Sequence, residues 1–190
     1  MRKYMERLRA RGDLLEVTRE VDPKHELAAV TSAAHREWNK PILFHHVKGS
    51  TLPVLTNLYG SRERLGEILG IGPDEFCRKW NALASVADSR NATLQPAAHP
   101  PADLVDCKLS DLPLITYSER DAAPYFTSAM FLAHEPETGV RNLSFHRSMY
   151  VSDQELRCRL APRHHLTMYH EKAEKMGKPL EAAMLIVPPP

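Results

Sequence analysis

Cysteine is scarce in this chain. Cys77, Cys107 and Cys158 are its three among 190 residues, far apart and without C-x-x-C or zinc-like spacing. An odd, scattered set excludes a disulfide framework and points to reduced thiols in a cytoplasmic protein, each a small core or surface residue. Net charge is almost missing too, at +1. That removes the electrostatic case for nucleic acid or an anionic membrane as partner. No apolar run approaches the ~20 residues of a membrane-spanning helix, and the opening MRKYMERLRARG has no apolar stretch of a signal peptide. Repeats and low-complexity tracts are lacking. Histidine is the exception to this plainness, with ten, and it carries information only where it clusters.

What is there reads as strands alternating with helices, hence α/β, at a length that allows one domain or one and a fraction. Residues 2 to 11 form a helix with Tyr4, Met5 and Leu8 on one side and Gly12 as its stop. Leu15 to Val21 alternates with period two, as a half-buried strand does. Asp22 is expected to cap, and Pro23 to open, a helix running to about Arg36. Strands at Pro41–Val47 and Leu52–Leu58 and helices from Ser61 to Gly70 and Pro73 to Ala84 complete a first domain, residues 1–100. Arg62-Glu63-Arg64 reads as a solvated helix face, and His45-His46, on alternate faces of a strand, as structural. The Pro-rich stretch Asn91–Pro101 is read as a linker. In residues 101–190, Phe126–His134 and Val140–Val151 read as one hairpin across the turn Glu135–Gly139. A helix from Arg163 to Met176 and a strand from Ala182 to Val187 follow.

Two polar clusters stand out in that second half. Asn142-Leu143-Ser144-Phe145-His146-Arg147 falls on the returning strand, and Arg163-His164-His165 at a helix start. A helix N-terminus suits an anion such as phosphate. An amide oxygen and a neutral imidazole suit a divalent metal. A guanidinium pairs bidentately with carboxylates. Each residue also has a plain alternative. Asn142 can be a solvated strand-end residue, His165 a helix-surface histidine, His146 a surface or pocket-lining one, and Arg147 half of a surface ion pair worth little. Asn142 and Arg147 are five apart, so a flat strand would turn them to opposite faces, and serving one site requires a bend or bulge.

N-x-S-x-x-R followed by H-H-L at a helix start resembles the UbiD family of decarboxylases. Other stretches are similar to that family in its order: Arg11-Gly12-Asp13-Leu14 to Val21-Asp22-Pro23, Phe44 to Gly49, Pro53-Val54, Gly60-Ser61, Asp111-Leu112-Pro113 and Pro124-Tyr125-Phe126-Thr127. The resemblance runs from near Met1 to Pro190, and the family's proteins are much longer. It implies an N-terminal mixed α/β domain followed by the incomplete first part of a split β-barrel that binds flavin. It implies removal of carbon dioxide, reversibly, from an aromatic or α,β-unsaturated acid with prenylated FMN.

By that resemblance Asn142 and His165 are ligands of a divalent ion, manganese or magnesium, that also holds the cofactor phosphate; potassium is a further ion considered. Leu143, Ser144, Phe145, His146 and His164 neighbour the flavin, with His146 standing where a small residue is expected. Arg147 is the catalytic residue, in a network with two glutamates. Those glutamates and a third metal ligand, also a glutamate, belong to later strands and match none of Glu171, Glu174 or Glu181. The 190 residues alone are therefore expected to be inactive. The expected partners are a small carboxylic acid and further copies of the longer protein, or a chain carrying the rest of the barrel. Two other readings stay open: a non-catalytic α/β subunit, stand-alone or half of a split enzyme, that binds a partner chain, and a histidine-rich metal-binding protein without flavin.

Overall fold

The computed structural model describes residues 2–86 and 105–186. The expected linker Asn91–Pro101, and with it the border between residues 1–100 and 101–190, lies outside the described residues, as does the end of the last expected strand. The chain divides into two compact units, one of Met1–Asp22 and Ala29–Pro113, the other of Pro23–Ala28 and Leu114–Pro190. Among the described residues no helix is long and apolar enough to cross a membrane.

The first unit is built on a three-stranded sheet ordered β1 (Leu15–Val21), β2 (Ile42–Val47), β3 (Val54–Thr56). β1 and β2 run parallel and β2 and β3 antiparallel. A parallel pair needs a crossover, which α2 (Glu26–Glu37) supplies. α1 (Arg2–Ala10) places Tyr4 and Leu8 four residues apart on one face. Both are buried with Leu14, Leu43 and Leu58, the core of this unit. α3 (Arg62–Leu69) is capped by Ser61, whose hydroxyl accepts from the Arg64 N–H, and is stopped by Gly70 in the left-handed region. A 3-10 turn, Pro73–Glu75, leads into α4 (Phe76–Val86).

Two expectations in this half are corrected. Asp22 lies four residues before the first residue of α2, outside its cap position, and its carboxylate takes the Lys48 ammonium at 3.1 Å. The Pro23 carbonyl accepts from the Thr116 N–H, and His25 adopts a left-handed φ of 72°, so α2 begins only at Glu26. Nor is Arg64 fully solvated, being half-buried. Its guanidinium donates to the carbonyls of Leu58 (2.9 Å), Asn39 (2.6 Å) and Asn57 (3.2 Å), and to Asn39 Oδ1 (3.3 Å). The His45 ring meets Glu16 Oε2 at 2.7 Å.

The second unit holds two three-stranded sheets. One is ordered β4 (Tyr125–Phe126), β7 (Ser148–Ser152), β8 (Glu155–Cys158); the other β6 (Arg141–Phe145), β5 (Met130–His134), β9 (Ala182–Leu185). Each pairing is antiparallel, and among the described residues the strands close no barrel. The single long hairpin read from the sequence is therefore divided into two strand pairs on different sheets, the β5–β6 hairpin and the β4–β7 pair. Both long strands break, at Thr127–Ala129 and at His146–Arg147. The cause lies in partner exchange: β6 leaves β5 at Phe145↔Met130, and β7 joins β4 at Ser148↔Phe126. The His146 N–H holds the break by donating to the Ala129 carbonyl at 3.1 Å. α5 (His165–Lys175) packs Leu166 and Tyr169 on Ala133, with Phe131, Leu160 and Leu180 around them.

Candidate functional site

The β5–β6 hairpin sets the site. Its turn needs a left-handed residue, supplied by Gly139 at φ 72°. Inside the turn Glu135 is buried, and its Oε2 accepts from the Glu137 N–H (2.9 Å), the Thr138 N–H (2.5 Å) and the Thr138 hydroxyl (2.7 Å). Its Oε1 meets Lys172 Nζ at 2.5 Å, and the same ammonium reaches Glu137 Oε2 at 2.7 Å. The Lys172 ammonium, then the Thr138 and Glu137 donors, hold the Glu135 carboxyl down at about 2. Lys172 in turn is raised by both carboxylates. It stands seven residues after His165, two helical turns along the same face of α5. The helix is thus tied to the hairpin at one end and brings His165 to β6 at the other.

There His165 Nδ1 and Asn142 Oδ1 are 3.2 Å apart. The Asn142 NH2 donates to Ser144 Oγ at 2.9 Å, and Ser144 Oγ lies 2.9 Å from His146 Nε2. His146 is buried, edge-on to Phe131 at 5.8 Å, with the His164 ring centred 6.4 Å away. Tyr169 stacks along the His165 ring at 6.4 Å. The structure therefore gathers Asn142, Ser144, His146, His164 and His165. Strand alternation turns the side chains of Leu143 and Phe145 to the other face of β6, where they are 54% and 68% exposed. Arg147 occupies the break before β7, and its guanidinium lies 5.5 Å from the centre of the Tyr125 ring. Among the described residues no carboxylate pairs with it.

A divalent cation suits this donor set. Two neighbouring ligands on an octahedral ion with ~2.1 Å bonds stand about 3 Å apart, close to the separation of Asn142 Oδ1 and His165 Nδ1. Among the described residues no group of three or more His, Cys, Asp or Glu gathers, so the pair could supply at most two positions of such an ion. The start of α5 suits a phosphate on that ion: His164 is its N-cap and makes no side-chain cap bond. Arg163, just before it, holds a left-handed φ of 65°. Glu135 and Lys172 escaped the sequence reading. Their signal was present in the E-P-E-T-G turn, where a carboxylate precedes several N–H donors, and in the helical spacing from His165 to Lys172.

Residues 5–84 match the family model of the 3-octaprenyl-4-hydroxybenzoate carboxy-lyase N-terminal domain, and residues 92–190 that of the carboxy-lyase Rift-related domain. The anhydromevalonate phosphate decarboxylase of Methanosarcina mazei is 33% identical, over 97% of this chain and 42% of its own length. The protein of that name from Methanothermobacter thermautotrophicus is 30% identical, over 98% and 42%. Among solved structures, an evolved dimeric form of the UbiD-class enzyme HmfF from Pelotomaculum thermopropionicum in complex with prFMN superposes with a TM-score of 0.82 at 32% identity. The match covers 97% of this chain and 43% of that one. Vanillic acid decarboxylase of Sedimentibacter hydroxybenzoicus shares the fold, with a TM-score of 0.78 at 24% identity, over 97% and 42%. The chain spans about two fifths of the length of these proteins, and across both of its halves it belongs to the UbiD family.

Proposed function

We propose that this chain is the N-terminal portion of a decarboxylase that uses prenylated FMN to remove carbon dioxide, reversibly, from an aromatic or α,β-unsaturated carboxylic acid. The carrying observation is the approach of Asn142 Oδ1 to His165 Nδ1 at 3.2 Å, at the tip of a helix with no side-chain cap. In this reading the two atoms hold a manganese or magnesium ion, and the first turn of α5 and the ion together hold the cofactor phosphate. Potassium is a further ion the site can be tested for. Ser144, His146 and His164 neighbour the flavin on the side of the cluster, and Leu143 and Phe145, whose side chains face the other way, do so through backbone groups. When bound, the flavin supplies the electron sink for loss of carbon dioxide. Arg147, steadied over Tyr125, keeps its guanidinium available to the substrate carboxylate. The domains are 1–100 and 101–190, the second continued by later barrel strands that bring the glutamates.

The test uses the protein extended to the length of its relatives. His165→Ala and Asn142→Ala are expected to lose flavin colour and bound metal, whereas Arg147→Ala keeps the flavin and loses turnover. Full retention of flavin and metal by His165→Ala refutes the grip assigned to it. The 190 residues alone are expected to show no turnover.

A second reading is a non-catalytic subunit of a split enzyme, favoured by the exposed Leu143 and Phe145 on β6, a surface that a partner chain would cover. The coding sequence beyond Pro190 separates the two. A continuous frame supports the longer enzyme, and a stop followed by a gene for the remaining barrel supports the split one.

A further inference from the structure

We infer that His146 is a positioning residue which, through Ser144, sets which end of the Asn142 amide faces the cation. The inference rests on the reading above, in which Asn142 and His165 grip that cation.

An asparagine side chain presents two ends of nearly equal shape and opposite polarity. Its carbonyl oxygen binds a cation; its NH2 repels one. β6 by itself does not choose between them. Ser144, two residues on and therefore on the same face, makes the choice, because its Oγ lies 2.9 Å from Asn142 Nδ2. A hydroxyl has one proton and two lone pairs. With its proton free, Ser144 could serve either end of the amide. With its proton committed elsewhere it is an acceptor only, and the NH2 must face it.

His146 makes that commitment. Its Nε2 lies 2.9 Å from Ser144 Oγ. The ring is only 5% exposed and stands nearly perpendicular to Phe131, at 82°, so it does not swing out to water. With the ring proton on Nδ1 and the lone pair on Nε2, Ser144 donates to His146 and accepts from Asn142. Asn142 Oδ1 is then left pointing at His165 Nδ1, where the ion would sit. A small residue in place of His146 leaves the serine proton unassigned, and the amide free to turn its NH2 toward the ion.

The experiment is nitrogen-15 NMR of the metal-free 190-residue chain, with manganese(II) titration of the same variants in the protein extended to the length of its relatives, followed by electron paramagnetic resonance. The His146 ring is expected in the Nδ1–H form. His146→Leu should shift the Asn142 side-chain amide signals and weaken manganese binding roughly fivefold, the value of one neutral hydrogen bond. His146→Gln, whose amide oxygen can take the serine proton, should restore both. Ser144→Ala should weaken binding by at least as much, about tenfold, and adding His146→Leu to it should cost nothing more. An Nε2–H tautomer, or Asn142 signals unmoved by His146→Leu while the backbone spectrum stays native, overturns the inference without reference to metal. Expected NMR behaviour with no manganese binding in the unsubstituted protein extended to the length of its relatives supports the relay and overturns the cation reading instead.

Discussion

Arg64→Ala removes a guanidinium that ties together three segments of the first unit. It bonds the end of β3 through Asn57 and Leu58, and the chain after α2 through Asn39. Burial lowers the Arg64 pKa, which marks a cation partly withdrawn from water. Three backbone carbonyls lose a charged donor. A hydrogen bond to a charged group is worth about 1.5–3 kcal/mol net, and an acceptor left without a partner costs ~1–3 kcal/mol. Water enters part of the space, because Arg64 is only half-buried, so the three losses do not simply add. The expected destabilisation is about 3 kcal/mol. Arg64→Lys should recover roughly a third of it, since an ammonium reaches one of these carbonyls but lacks the planar fork that reaches all of them. Arg62→Ala, two residues away and exposed, is the control and should change stability by less than about 0.5 kcal/mol. Urea unfolding of the three variants provides the measurement. If Arg64→Ala and Arg62→Ala fall within about 1 kcal/mol of each other, the clamp is an incidental contact and the reasoning fails.

Gly66→Ala should destabilise, against the usual gain of ~1 kcal/mol for that exchange inside a helix, because a Cβ there would stand 2.4 Å from the Ile71 carbonyl oxygen; a raised urea midpoint would contradict this. Glu135→Gln should cost stability that depends on pH. The folded carboxyl sits at about 2 against an ordinary 4.5, so its contribution is present in full above about pH 4.5 and is lost as pH falls toward 2. The gap in melting temperature between the unsubstituted chain and the variant should therefore close across that window, and a constant gap would show that the charge on Glu135 is irrelevant. Phe145→Lys should leave the unfolding free energy of the 190-residue chain unchanged to within about 0.5 kcal/mol, since Phe145 is largely exposed. A drop of several kcal/mol would mean that the face is covered in the chain itself.

Much of this architecture could be read without coordinates, because it depends on neighbours in the sequence. The period-two run Leu15–Val21 became β1 over the same residues, Ser61 and Gly70 bracketed α3, and the turn ending at Gly139 closed the β5–β6 hairpin. These follow from backbone preference and from alternation of apolar side chains, which are local properties. The resemblance to the UbiD family was also legible, since its motifs are short and ordered. The order of the sheets was not. Val140–Val151 alternates much as one strand would, and only the pairing partners, β5 for one half and β4 for the other, divide it at His146.

For the site the division is similar. Residue type and spacing proposed Asn142 and His165 as a pair, but 23 positions separate them, and no periodicity carries information over that distance. Their approach to 3.2 Å depends on α5 packing against β5 through Leu166, Tyr169 and Ala133, and on Lys172 reaching the carboxylate in the hairpin turn. Arg64 shows the same limit from the other side. Its helix face looks polar in one dimension, while its partners come from two other stretches of chain, one of them 25 positions away. The sequence by itself determined the family, the chemical character of the candidate residues and most of the elements, though not β8 (Glu155–Cys158). Tertiary structure alone decided which side chains share a surface and which carbonyl or ring each one meets, because those distances are fixed by packing between segments rather than by the order of residues along any one of them.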